Sequence, residues 1–258
     1  MTPKARSHAT PSTQYARNGP LLPESLEFTR LISKCVTRAE RKRILVSENR
    51  LGRHTYKSRR NIFEALEARF ADHRRAANLG FLSMTTGLSR SFAMGCFLEL
   101  AKHDALVGSF VRYSIEAMGS GSATDAASFL GQLDVGSGSV NAWSPTLRRR
   151  AIASLNAISH KFQVTDGLPP AVRGELRFPV ELAAIIFQER LEDNLSAVGA
   201  PEFALLNLSR NAVVALLWSC ARREWFRVDI IGDVVNVERR FENAASLLQI
   251  SSGGEILA

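Results

Sequence analysis

The chain has 258 residues, of which 45% are hydrophobic, 22% charged and 8% aromatic. This composition is typical of a globular protein and excludes wholesale disorder and collagen-like repetition. Lysine and arginine number 33 against 25 acidic residues, a net charge of +8. Such an excess favours a polyanionic partner, with nucleic acid first and an anionic membrane surface second.

Residues 1–19 are polar and basic and lack the apolar core of a signal peptide, so we expect a flexible tail. The longest charge-free stretch, 76–89, is shorter than the roughly 18–20 apolar residues that span a membrane. We therefore expect a soluble, cytoplasmic protein with no membrane contact. Cys35, Cys96 and Cys220 lie far apart, which predicts reduced thiols buried in the core and supports neither a zinc finger nor a disulfide scaffold.

Most of the charge excess lies in one segment. Residues 37–75 contain twelve basic and five acidic side chains, so +7 of the +8 falls within these 39 residues. This asymmetry indicates a local binding face, and the alternative is a solvated helix surface.

The segment 20–75 is predicted to form a basic helical module of three helices. The Pro-Glu pair at 23–24 suits the first turn of the first helix. Thr37 and Glu40 have the spacing of a capping box, which predicts the start of the second. The sequence Asn-Arg-Leu-Gly at 49–52 ends that helix, because Asn and Gly both tolerate the left-handed conformation.

Thr55 or Ser58 is predicted to cap the third helix. Its apolar stripe consists of Ile62, Phe63, Leu66 and Phe70, and its basic residues Lys57, Arg59 and Arg60 lie largely outside that stripe. A helix, a Gly-bearing turn and a basic helix follow each other as in a helix-turn-helix module, although any small helical bundle can show the same order.

The segment 76–140 is predicted to be a helical core with a Gly/Ser-rich connection. Residues 76–118 are mostly apolar and helical in pattern. We interpret 119–140 as a loop-rich connection that contains one short candidate helix, 124–133. Neither Gly/Ser patch continues into the Lys-Ser/Thr pair of a phosphate-binding P-loop.

The segment 141–258 is predicted to be a winged-helix-like C-terminal region. The predicted elements are a basic helix from Ser144, a small hairpin between 162 and 178, helices beginning at Pro179 and Ser209, and two strands, 225–231 and 234–237. The Gly-Asp pair between the last two strands is typical of a tight hairpin turn.

Signatures of enzymatic chemistry are missing. The five histidines are scattered, and no HExxH, GxSxG, GxGxxG or paired-carboxylate pattern occurs. His103 and Asp104 are adjacent, and adjacent helical residues point in different directions. His54, within the basic segment, suits a phosphate contact or a solvated side chain. We predict no catalytic residue, metal or cofactor, although a site built from distant residues would leave no such pattern.

Residues 48–60, ENRLGRHTYKSRR, resemble a known bacterial family. The matching stretch is preceded by LLPES at 21–25 and followed by 62–70, and a second patch runs from Trp143 into the arginines at 148–150. These motifs, spread over roughly 15–168, are similar to the BrxA family of the BREX bacteriophage-exclusion systems. The resemblance implies a mostly helical, NusB-like fold and an association with nucleic acid.

We therefore predict a mainly α protein with helix-turn-helix and winged-helix-like modules and one or two small β-hairpins. Its predicted function is that of a non-enzymatic, nucleic-acid-binding component of a phage-defence system. DNA, as a duplex, is favoured over RNA because no aromatic-rich stacking sheet is evident. The candidate contacts are Arg41, Arg43, Arg53, Lys57, Arg59 and Arg60, with Arg148, Arg149 and Arg150 as a second surface.

Two other functions stay open from the sequence. The first is a scaffold that docks onto other BREX proteins, its basic face meeting an acidic partner. The second is an enzyme whose residues are dispersed along the chain.

Overall fold

A computed structural model describes residues 15, 18–119, 125–137, 143–158 and 178–251. The predicted hairpin between 162 and 178 lies almost wholly outside the described residues, as does most of the predicted tail.

The described part of the chain is mainly helical. Helices α1 to α6 are Leu22–Ser33, Arg38–Lys42, Tyr56–Arg69, His73–Thr86, Arg90–His103 and Ala105–Gly119, and a π-helical turn, Arg43–Ser47, continues α2. Helices α7 to α12 are Ala126–Ser137, Pro145–Asn156, Val180–Glu192, Pro201–Leu205, Arg210–Arg222 and Ala244–Ser251, with a 3₁₀ turn, Ala197–Gly199, before α10. Strands β1, Phe226–Ile231, and β2, Val234–Arg239, pair antiparallel. The predicted mainly α fold with a small hairpin is confirmed.

The longest helix in the described ranges, α6, has 15 residues and measures about 22 Å along its axis. The hydrocarbon core of a bilayer is about 30 Å thick. No described helix combines the length and the apolar character that a membrane crossing requires.

Local capping chemistry explains where several helices begin. Four predicted cap residues each accept a hydrogen bond from a backbone N–H in the first turn, at 3.1–3.3 Å: Thr37, Thr55, Ser144 and Ser209. The chain also turns where predicted after α2, since Asn49 and Gly52 have φ angles of 59° and 63°. These boundaries are confirmed because each depends on residues within one helical turn.

The connection between α2 and α3 is longer than the turn of a typical helix-turn-helix. The π-helical turn after α2 ends at Ser47 and α3 begins at Tyr56, so residues 48–55 connect them. This connection is twice the about three to four residues of a helix-turn-helix. The order of a short helix and a basic helix is present, but the two are held by a longer loop.

The short helix predicted at 124–133 is present, and residues 120–124 and 138–140 of the predicted loop-rich connection lie outside the described residues. Residues 126–137 form α7, and Asp125 Oδ1 accepts hydrogen bonds from the N–H groups of Ala127 and Ser128, each at 2.9 Å. Ala126, Phe129 and Leu130 are buried. Their spacing is that of a helix with one buried face, and this pattern outweighs the Gly/Ser content on either side.

The thiols divide into one exposed and two buried groups. Cys35, predicted to be buried, is exposed and has a φ of 55° in the turn between α1 and α2. Cys96 and Cys220 are buried as predicted. Their burial raises the pKa of each thiol to about 12, so both stay protonated near neutral pH.

One hydrophobic core extends through the described helices into the β1–β2 hairpin. Near its centre, the ring of Phe28 in α1 lies 5.8 Å from that of Phe70 and 6.1 Å from that of Phe63, between ring centroids. The predicted boundary between residues 75 and 76 falls inside α4, which packs along α1. Helix α4 therefore belongs to both predicted segments.

A buried ion cluster joins α4 to helices distant in sequence. Arg75 of α4 is 4% exposed, and it donates to Glu189 of α9 at 2.6 Å and to Glu202 of α10 at 3.0 Å. Glu99 of α5 lies 3.9 Å from the same guanidinium. Burial raises the pKa of Glu189. Burial also opposes the charge on Arg75, but the three carboxylates hold the pKa of this guanidinium above its ordinary value.

We expect Arg75→Met to lower the free energy of unfolding by about 3–5 kcal/mol, because it leaves buried carboxylates without their cation. Urea denaturation measures the change. The matched control is Arg74→Ala, since Arg74 is adjacent in sequence but pairs with Asp193 at the surface. Equal effects of the two substitutions would contradict the structural role of the cluster.

A second prediction concerns the close approach of α1 and α4. A Cβ atom on Gly80 would lie 2.3 Å from the carbonyl oxygen of Thr29. We expect Gly80→Ala to destabilise the protein by about 1–3 kcal/mol through overpacking.

Gly131→Ala is the matched control, because a Cβ atom there meets nothing within 4 Å and α7 gains helix propensity. Thermal unfolding should show a lower Tm for Gly80→Ala and an unchanged or higher Tm for Gly131→Ala. If Gly80→Ala is as stable as the natural protein, α1 and α4 do not approach each other as closely as the structure shows.

Candidate nucleic-acid interface

The amino end of α3 carries a compact group of cations. Lys57 and Arg60 are exposed and Arg59 is half-buried, all within the first turn and a half. No acidic residue lies in the first turn, where the N–H groups of the helix add partial positive charge. We call Tyr56, Lys57, Arg59 and Arg60 the α3 basic end.

The carboxylates further along α3 are already engaged. Glu64 pairs with Arg38 at 3.0 Å, and Glu67 pairs with both Arg38 at 3.2 Å and Arg41 at 2.8 Å. These pairs fasten α2 to the middle of α3. The acids therefore neutralise cations of α2 and leave those at the amino end of α3 uncompensated.

Arg41 is a predicted contact that the structure removes from the surface. Its side chain is 4% exposed, its guanidinium donates to the Val36 carbonyl at 2.7 Å and to Glu67 at 2.8 Å, and it lies over the Phe28 ring. The prediction is wrong because the guanidinium is buried by these contacts and cannot reach a phosphate. Arg41 stabilises the packing of α2 on α1 and α3.

Arg43 and Arg53 are exposed but paired. Arg43 binds Glu40 at 2.6 Å and also Glu48, and its hydrogen bonds lower the pKa of Glu40. Arg53 binds Glu24 of α1. Both predicted contacts are at the surface, and each would have to leave a carboxylate in order to bind a phosphate.

Lys57, Arg59 and Arg60 form no ion pair with any carboxylate of the described residues. The Arg59 guanidinium instead lies over the ring of Tyr56, 5.9 Å from its centroid. Three neighbouring cations therefore have their charge available to an anionic ligand. The structure brings these three predicted residues together on one end of one helix.

The second predicted surface lies on α8. Arg149 and Arg150 are exposed and form no ion pair with a carboxylate in the described ranges, and Arg148 is half-buried beside them. Helix α8 packs on α7 and buries Ala151 and Leu155. The two sets of predicted contacts thus belong to separate elements, and their joint use of one ligand stays a prediction.

Sequence reasoning missed Tyr56 as a functional candidate. Its side chain is 53% exposed at the start of α3, where it precedes the buried stripe of that helix. The available signal was an aromatic residue inside a basic run and outside the apolar period. Packing in the core therefore does not account for this tyrosine.

The adjacent pair His103 and Asp104 has structural partners. Asp104 accepts the N–H groups of Leu106 and Val107 at 3.0 and 3.2 Å and so caps α6. His103 lies 3.5 Å from Glu99, and His54 is exposed.

A groove of about 520 Å³ beside the β1–β2 turn has a mainly apolar lining with Arg210 and Asp233. The Arg210 guanidinium there donates to the Asp233 carbonyl.

No protein-family model, no curated protein and no solved structure matches the chain. The resemblance to the BrxA family and to the NusB fold therefore stays a prediction from the sequence motifs. The interpretation of the α3 basic end rests on its geometry and charge.

Proposed function

We propose that the protein binds nucleic acid through the α3 basic end, without catalysing a reaction. The observation that carries the proposal is the cluster of three cations, Lys57, Arg59 and Arg60, that form no ion pair with a described carboxylate. Because one helix carries these cations, contact with neighbouring phosphates orders their side chains but requires no ordering of the backbone. Contacts of this kind supply affinity and orientation, and they carry no sequence preference of their own.

DNA is the favoured ligand over RNA. Proteins that read single-stranded RNA often stack bases on aromatic side chains of an exposed sheet. The β1–β2 sheet has one aromatic residue, Phe226, and it is buried. This sheet therefore lacks an aromatic platform for RNA.

The proposed setting is a bacterial phage-defence system of the BREX type. The stretch that resembles the BrxA family, 48–60, contains every residue of the α3 basic end. The motif that carries the resemblance and the surface that carries the charge are therefore the same part of the chain. Other BREX proteins are proposed as further partners.

The test is a binding titration with labelled duplex DNA and RNA hairpins at several salt concentrations. Each phosphate contact on duplex DNA contributes about 0.9 to the slope of log affinity against log salt. We expect the triple variant Lys57→Ala, Arg59→Ala, Arg60→Ala to bind more weakly and to lose about 2–3 from that slope.

The control variant removes the same amount of charge from paired cations: Arg43→Ala, Arg50→Ala and Arg74→Ala. It should retain most of the affinity and of the slope. If both variants lose the same affinity, binding depends on net charge in general and not on the α3 basic end. An affinity that does not change with salt concentration would contradict the proposal.

A protein-docking function has one supporting observation. The end of the β1–β2 hairpin exposes apolar side chains, with Ile231 at 73% and Val234 at 59%. Adjacent exposed apolar groups supply area that a contact with another protein would bury. In this alternative the protein is a scaffold, and its basic face meets an acidic partner.

The scaffold function predicts that a partner protein stays bound after nuclease treatment. We expect Ile231→Ser with Val234→Ser to release such a partner if the hairpin is its docking site. Purified protein with raised absorbance at 260 nm before nuclease treatment, and no protein partner after it, would favour nucleic-acid binding instead.

A further inference from the structure

The ring of Tyr56 is an exposed aromatic surface set among cations. It lies in the first turn of α3 with 53% of its area open to solvent. The core contacts of α3 come from the following turns, through Ile62, Phe63 and Leu66. Folding therefore leaves about half of this residue exposed, including apolar area that a ligand can cover.

The neighbours of Tyr56 on the helix surface are cationic. Residues three and four positions apart lie next to each other on a helix, so Arg59 and Arg60 both adjoin Tyr56. Arg59 lies over the ring at 5.9 Å, which fixes the ring by a cation–π contact. A flat aromatic surface and two guanidinium groups thus occupy one patch.

We propose that Tyr56 is a stacking platform for an unpaired base of the nucleic acid that the α3 basic end binds. The proposal rests on the proposed function and adds the class of ligand. Bases inside a duplex already have both faces covered by their neighbours, so a ring on the protein surface stacks at least cost on a base that is unpaired. Because DNA is the ligand of the proposed function, the inferred ligand is DNA with a gap, an overhang or another single-stranded stretch.

The cations and the aromatic ring bind different parts of the nucleic acid. Lys57, Arg59 and Arg60 neutralise phosphates on either side of the unpaired nucleotide, and the ring of Tyr56 covers one face of its base. Ile231 and Val234, the exposed apolar residues at the hairpin turn, have acidic Asp233 between them and do not suit a polyanion. The chemistry of a base with flanking phosphates fits the α3 basic end.

The experiment compares a fully paired duplex with the same duplex carrying a short gap that contains 2-aminopurine. We expect the full-length protein to bind the gapped DNA about tenfold more tightly, the scale of one base–aromatic stack. Stacking should also quench the 2-aminopurine fluorescence. Tyr56→Ala should lose both the preference and the quenching, whereas Tyr56→Phe, which keeps the ring, should retain both.

Trp218→Ala is the matched control, because Trp218 is 41% exposed on α11 and lies outside the α3 basic end. It should bind as the natural protein does. Circular dichroism and unfolding of Tyr56→Ala establish that the variant is folded, as its exposed position predicts.

The outcomes separate the two proposals. Equal affinity for gapped and paired DNA, or quenching that survives in Tyr56→Ala, would overturn the stacking inference and leave the proposed function in place. Failure to bind either DNA at low salt would overturn the proposed function and the stacking inference together. Loss of a partner protein in Tyr56→Ala, with DNA binding unchanged, would assign the ring to protein docking and overturn the inference.

Discussion

The packing of the described helices depends on the buried guanidinium of Arg75. A charge removed from water must be paired, so the positions of Glu99, Glu189 and Glu202 are tied to that of Arg75. These acids come from α5, α9 and α10, and Asn78 also donates to Glu189 at 2.7 Å. Removing one partner of a buried ion pair costs free energy, and replacing the whole cluster needs several simultaneous substitutions. The cluster therefore fixes the packing of α4 against α5, α9 and α10.

The same need to pair charge decides which cations remain for a ligand. Residues 37–75 carry +7 in sequence, but Arg41, Arg69 and Arg75 are buried within the structure. Arg69, for example, donates to the Pro20 carbonyl at 2.6 Å. Exposed arginines such as Arg43 are held by carboxylates. The exposed cations of this segment without a carboxylate partner are concentrated at the start of α3. The buried apolar stripe of α3 fixes the position of that end.

Much of the fold could be predicted from the sequence because its signals are local. The caps Thr37 and Ser209 and the Gly-Asp turn of the hairpin each act within a few residues. The division of the arginines could not be predicted, since Arg41 meets an acid 26 residues away and Arg75 one 114 residues away. Lys57, Arg59 and Arg60 were predicted from the density of basic residues and from their position outside the apolar stripe of α3. Tyr56, an aromatic residue inside a basic run, was missed because its exposure becomes known only from the structure.

The most direct test of the central claim is a photochemical map of the contact. DNA that carries 5-iodouracil in a gap is crosslinked to the protein by ultraviolet light, and the modified peptide is identified by mass spectrometry. The account predicts an adduct at Tyr56 or at its neighbours up to Arg60. Adducts confined to α8 or to the β1–β2 hairpin would contradict it and place the interface elsewhere.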